Sequence, residues 1–205
     1  MNAARNGASA KKRPSFSVFR SPPLKGFFLF PLDMSQFCTA NCHMGEHQKS
    51  YQKGELNMEL RMNYRSANPE AFKTLLALEQ AAQQSGLDHK LYEIIKLRAS
   101  QINGCSYCVD MHSKDLLSMG ESVDRLLLLP MWREVPIYSD EERAVIELTE
   151  CVTKLSEAGV PTEVYERVRK HFDEKQFVDL IMAITTINAW NRIGVATGLF
   201  PGCFD

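Results

Sequence analysis

The sequence predicts an all-α protein: an antiparallel helical bundle carried behind a disordered N-terminal extension. Three observations lead there. Apolar residues recur at spacings of three and four from Asn68 onward, the segments so marked begin and end on helix start and stop residues, and no run alternates strictly as a half-buried strand would.

The first helix opens at Asn68, an N-cap followed by proline at the first helical position. It carries Phe72, Leu75, Leu76 and Leu78 toward a stop at Gly86. Asp88 opens the second, whose stripe is Leu91, Ile94, Ile95 and Ile102, and Gly104 ends it. A third runs from about Cys105 to Gly120, with Cys108, His112, Asp115 and Met119 near one face. Glu121 to Leu129 is a short fourth, ended before Pro130. Ser139 and Glu142 form a capping box for a fifth, with Val145, Leu148, Val152 and Leu155 as a buried seam up to Gly159. Thr162 caps a sixth. Asp173 and Gln176 open a long seventh that turns Phe177, Leu180, Ile181, Ile184 and Ile187 inward and stops at Gly198. Short connections between such helices give antiparallel neighbours.

Composition sets the domain organisation. A chain of 205 residues, 44% hydrophobic, buries one real core with an appendage. Residues 1–57 hold eight Lys/Arg against Asp33, Glu46 and Glu55, a charge of +5 that leaves -6 for residues 58–205. This first segment is rich in Ser, Pro and basic residues and shows no period, so it is expected to be disordered. It is either a targeting segment, although its prolines spoil the amphipathic helix such signals use, or an extended start before Met58 or Met62. Cys38, Cys42 and His43 are read as three isolated residues within it, since a closed zinc site wants four ligands, and His47 is read as a further tail residue.

The mildly acidic folded part argues against a nucleic-acid partner. The apolar run Phe27 to Leu32 contains Pro31 and is far shorter than the roughly 20 residues of a membrane helix, so no membrane association is expected. Six cysteines are too sparse for a stapled secreted scaffold, which favours a reducing, cytoplasmic setting.

The chemistry is concentrated in Gly104-Cys105-Ser106-Tyr107-Cys108-Val109-Asp110-Met111-His112. Two residues between cysteines at a helix start put both sulfurs on one side, within reach of a disulfide, and the helix N-terminus favours thiolate over thiol. His112, four residues after Cys108, stands one turn on and can take its proton directly or through a water. Glu93, on the preceding helix, returns across the hairpin toward the imidazole, where a carboxylate fixes the tautomer and raises basicity. A Cys/His/Glu relay results.

Glu93, eleven residues, Cys105-x-x-Cys108, three residues and His112 is a pattern that resembles the alkylhydroperoxidase D-like proteins of the carboxymuconolactone decarboxylase superfamily. The resemblance covers most of residues 62–200, including Thr186-Ile187-Asn188-Ala189-Trp190-Asn191-Arg192, which is similar to the late helix of family members. It implies an all-helical fold of the alkylhydroperoxidase D-like type that assembles as trimers or hexamers. It also implies reduction of organic hydroperoxides by the dithiol, recycled by a dithiol donor such as a lipoylated or thioredoxin-like protein. In that scheme Cys108 attacks the peroxide and becomes a sulfenic acid, Cys105 resolves it to the disulfide, and Glu93 and His112 relay the proton. Some members carry a second histidine where this chain has Tyr107, a poor base at neutral pH.

Other readings are weighed against this one. Zinc held by Cys105, Cys108, His112 and Glu93 is the metal alternative; the favoured reading takes no metal and no cofactor. Decarboxylase-type acid/base chemistry on a lactone or related acid is a second enzyme reading, which leaves the cysteine pair without a task. A non-catalytic, redox-sensing oligomer is the third. Cys151 is read as a small core residue, Asp115 as a solvated rival to Glu93, His89 and His171 as surface residues near helix ends, and Cys203 as a tail residue of open role. Leu126 to Leu129 is read as packing or subunit-contact surface.

Overall fold

The computed structural model describes residues 59–204. The basic extension, its boundary near residue 57 and the grouping of Cys38, Cys42, His43 and His47 lie outside the described residues. Within them there are helices, turns and no strand.

A short α1 (Tyr64–Ala67), capped by Asn63, precedes the first expected helix. Asn68 then caps α2 (Pro69–Gln83) through its side chain, which accepts from the Ala71 N–H, with Pro69 at a position where the missing donor costs nothing. Asp88 likewise caps α3 (His89–Asn103), accepting from Leu91 N–H at 3.0 Å. Gly104 closes α3 in the left-handed conformation, φ 67°, where a side chain would be strained. That one residue reverses the chain into α4 (Ser106–Ser118), for which Cys105 is the N-cap.

Three expectations shift in detail. The fourth helix is α5 (Val123–Leu128), capped by Ser122, and it does not simply stop at proline: Leu129–Met131 continues as a 3₁₀ turn that accepts Pro130 early, where its absent N–H is not needed. The fifth, α6 (Asp140–Thr153), has the Ser139/Glu142 capping box but breaks at Lys154. Leu155 therefore starts a separate single turn, α7 (Leu155–Ala158), and is 58% exposed instead of extending the seam. Thr162 is the first residue of α8 (Thr162–Arg169) and not its cap, a position held by Pro161 with no side-chain bond. The last helix, α9 (Glu174–Thr197), has both halves of the Asp173/Gln176 capping box and ends at left-handed Gly198.

The core has two parts that meet on α3. Leu91, Tyr92 and Ile95 face Val145, Leu148, Val164, Val168, Leu180 and Ile184 of α6, α8 and α9. Ile94 and Leu97 face Leu116, Leu129, Trp132, Tyr138 and Ile146 on the other side. A helix with apolar neighbours on two faces is buried nearly all round. Its polar residues Glu93, Lys96 and Ser100 are buried with it, so each must find a partner inside the protein. Ile102, expected in the stripe, is only partly buried near the exposed end at Gly104.

Candidate functional site

The site sits where α3 turns into α4 and both lie against α9. Gly104 places Cys105 at the mouth of α4, where its N–H donates to Ser100 O at 3.1 Å and its carbonyl receives Val109 N–H at 2.9 Å. Cys108, at the third helical position, is one turn away. The two are joined as a disulfide with Cα atoms 5.4 Å apart, and both are buried, at 2% and 3% exposure. Helical spacing thus brings the two sulfurs together as the sequence implies.

Across from them, Gly194 of α9 provides the close approach. A Cβ there would stand 3.1 Å from Cys105 Sγ, 3.9 Å from Cys108 Sγ and 3.5 Å from Leu199 Cδ1. The absence of a side chain at Gly194 is what lets α9 close over the sulfurs. Polar contacts hold that register: Asn103 Nδ2 donates to Asn188 Oδ1 and Asn191 Oδ1 at 3.0 and 2.9 Å, and Asn191 Nδ2 donates to Ser100 Oγ at 3.0 Å.

His112 follows Cys108 by one turn and is 1% exposed. Its Nδ1 lies 2.7 Å from Glu93 Oε2 across the α3–α4 hairpin. A carboxylate only accepts, so Nδ1 carries the proton of this bond, and Nε2 is the ring nitrogen outside it. That Nε2 is buried and has no hydrogen-bond partner. Burial pushes Glu93 upward more than any other single influence. The hydrogen bond from His112 and the charge of Lys96 together outweigh it, and the carboxyl is held below its ordinary value.

Asp115 reaches the same imidazole only at 3.8 Å, with its side chain 49% exposed. Burial and the nearby Glu93 charge raise its pKa, and Glu93 is the carboxylate within hydrogen-bond distance of the imidazole. Tyr107, between the two cysteines, packs edge-on against Phe204 at 6.2 Å. Partial burial raises its phenol, which keeps it protonated and unfit as a base at neutral pH.

Glu93, His112 and Asp115 each place one ligand atom within 4.8 Å of the others, a group that excludes the cysteines of the sequence-derived zinc alternative. Lys96 Nζ, 3.6 Å from Glu93 Oε1, sets a like charge beside any cation there.

Sequence reasoning missed the network behind Glu93. Lys96 Nζ also meets Glu79 Oε1 at 2.6 Å, and Glu79 in turn accepts from Tyr92 Oη at 3.1 Å and Trp190 Nε1 at 2.9 Å. The available signal was the two-sided apolar pattern of α3, which forces an interior lysine to find acids. Of the residues considered secondary, Cys151 and Cys203 are partly buried free thiols, and His89 and His171 are exposed. No helix among the described residues is long and apolar enough to cross a membrane.

Comparison with known proteins agrees with this architecture. Residues 69–150 match the model of the carboxymuconolactone decarboxylase family. The uncharacterised protein YdfG of Bacillus subtilis (strain 168) is 44% identical over 141 residues, spanning 69% of this chain and 96% of its own. A crystal structure of an Agrobacterium tumefaciens protein of unknown function, described as a candidate antioxidant defence protein AhpD, is 45% identical with a TM-score of 0.68. That match covers 70% of this chain and 99% of the other. An uncharacterised peroxidase-related protein from Ralstonia eutropha JMP134, an alkylhydroperoxidase AhpD core, shares the fold at 22% identity and TM-score 0.60, covering 67% of this chain and 74% of its own. The chain belongs to the carboxymuconolactone decarboxylase family, with the all-helical fold of its alkylhydroperoxidase D-like members.

Proposed function

We propose that the protein is a thiol-dependent peroxidase that reduces organic hydroperoxides with the Cys105/Cys108 dithiol. The observation that carries this reading is the buried Glu93–His112 bond at 2.7 Å, which leaves a bare Nε2 on the helix that bears Cys108 one turn earlier. In the reduced protein His112 Nε2 takes the Cys108 proton, and the helix N-terminus favours the thiolate. The sulfur attacks the outer peroxide oxygen and the O–O bond breaks. The alkoxide leaves with the proton returned by His112, giving an alcohol and a Cys108 sulfenic acid. Cys105 then displaces hydroxide, which leaves as water with the thiol proton, and the disulfide seen in the structure forms.

A dithiol donor restores the cycle by thiol–disulfide exchange and is itself oxidised. Exposures of 2% and 3% at the two cysteines favour a slender dithiol such as a lipoyl arm over one fixed on a thioredoxin-like surface. Self-association is part of the proposal as well: Val123, Leu127 and Met131 expose 56%, 66% and 45% of their surface around one short helix, the kind of apolar patch that subunit contact removes from water.

Steady-state consumption of hydrogen peroxide and of a tertiary alkyl hydroperoxide, with dihydrolipoyl donor, tests the reading. Turnover by the wild type that is lost in Cys108→Ala and His112→Ala supports it. Equal, slow consumption by all three proteins overturns it.

A further inference from the structure

Glu93 divides its two carboxylate oxygens between two partners. Oε2 meets His112 Nδ1 at 2.7 Å, and Oε1 faces Lys96 Nζ at 3.6 Å. Lys96 is itself nearly enclosed, with a side chain 6% exposed, and lies 2.6 Å from Glu79 Oε1. A lysine on a buried helix normally runs its stem outward until the ammonium meets water. Here the ammonium turns inward between two carboxylates, and its stem also brings Nζ over the Tyr92 ring at 4.8 Å. Glu79 is fixed from α2 by donors on α3 and α9, namely Tyr92 Oη, Lys96 Nζ and Trp190 Nε1. The result is a linked series, Trp190–Glu79–Lys96–Glu93–His112, that joins four helices and ends at the bare Nε2.

We propose that Lys96, held by Glu79, is a positioning residue that keeps Glu93 ionised and turned toward His112, so that His112 Nε2 stays free to accept the Cys108 proton. This rests on the peroxidase reading above. The groups that face Glu93 are Lys96 and Tyr92 on its own helix, His112 and Asp115 on α4, and Glu79 beyond Lys96 on α2. Lys96 is the one fixed cation among them, and it lies between the carboxylates of Glu79 and Glu93. Without it, a buried carboxylate would lose its compensating charge and take up a proton instead. A protonated Glu93 no longer draws the proton to Nδ1, and the imidazole loses both its fixed tautomer and part of its basicity. An opposing effect exists, because removing a cation also makes a nearby imidazole more basic. Lys96 stands closer to Glu93 than to His112 in the series, so the loss of the carboxylate dominates.

The test is the pH profile of Cys108 alkylation by iodoacetamide, followed by peptide mass spectrometry on reduced, full-length protein carrying Cys105→Ser, with thermal unfolding run in parallel. Lys96→Met is expected to move the profile about one unit toward alkaline pH, about a tenfold slower reaction near pH 7. In a Glu93→Gln background the same substitution is expected to move nothing further. The double variant Glu79→Gln/Lys96→Met, which leaves no buried charge of that pair unpartnered, should behave like Lys96→Met and guards against simple unfolding. An unchanged or acid-shifted profile in Lys96→Met, or a shift that persists in the Glu93→Gln background, overturns the inference while the relay stands. If His112→Ala and Glu93→Gln themselves leave the profile unmoved, it is the relay that falls, and the inference with it.

Discussion

Glu93 on α3 and His112 on α4 meet at 2.7 Å although they stand nineteen positions apart, because Gly104 turns the chain between two helices that pack on each other. The contact is buried and directional, so its loss has two effects. Glu93→Gln keeps the shape and removes the charge, and peroxide turnover is expected to fall at least about tenfold. His112→Ala removes the proposed base and should cost about 10²–10⁴-fold, the usual range for a positioned proton acceptor. Comparing kcat/KM of the two variants with the wild type, at matched hydroperoxide and donor, checks both figures.

Gly194→Ala tests the close approach of α9. The new methyl would stand 3.1 Å from Cys105 Sγ, closer than ordinary van der Waals contact. In the reduced protein that sulfur can rotate away, whereas in the disulfide it is held. The variant is expected to lose about 1–3 kcal/mol of stability, more in the oxidised than in the reduced form. Urea unfolding of both forms measures the difference; equal losses would show that the strain is not at the sulfur.

Acid should weaken the fold through two carboxyls. Burial pushes Glu93 and Glu150 upward, but hydrogen bonds from His112 in one case and from Arg133, Trp132 and Arg98 in the other bring each below its ordinary 4.5. A depressed carboxyl contributes stability above its unfolded-state value, and that contribution drains away as pH falls through the lower, folded value. The contribution of these two carboxyls is therefore expected to be full above their ordinary 4.5 and to decline below it. Glu150→Gln, remote from the dithiol in the Arg98 and Arg133 cluster, should lower stability at neutral pH and flatten that decline. Thermal unfolding between neutral pH and about pH 3 follows both trends.

Asn191 is 1% exposed and bridges Ser100 to Asn103, just before the turn into the dithiol. Asn191→Ala removes one bond from Ser100 Oγ, which still donates to Lys96 O, and one from Asn103 Nδ2, which still donates to Asn188 Oδ1, at a cost of about 1–3 kcal/mol for the two bonds. Chemical denaturation is the check. A change below a few tenths of a kcal/mol would mean that water replaces the lost amide.

Much of this architecture was legible in the sequence because its signals are local. Asn68, Asp88, Ser139 and Asp173 cap helices as their neighbours require, and Gly104 and Gly198 end them in the one conformation that favours glycine. The dithiol and His112 share one helix, so spacing alone places them, and Glu93 follows from a hairpin between adjacent helices. What lay hidden depends on distant packing. Lys96 reads as a surface lysine until α3 is seen to be covered on both sides, and its partner Glu79 is held by Trp190, 111 residues further on. The proximity of Gly194 to the sulfurs joins residues that no local pattern relates. Leu155 misled because the seam continues in sequence past a break at Lys154 that no proline or glycine announces.

The sulfur that meets the peroxide can be identified directly. Reduced Cys105→Ser protein, given one equivalent of an alkyl hydroperoxide and then a sulfenic-acid-specific trap, is read out by peptide mass spectrometry. The account predicts a single stoichiometric adduct on Cys108 that is much slower to form when His112 is also replaced by alanine. An adduct confined to other cysteines, or a Cys108 adduct that forms as fast without His112, would contradict it.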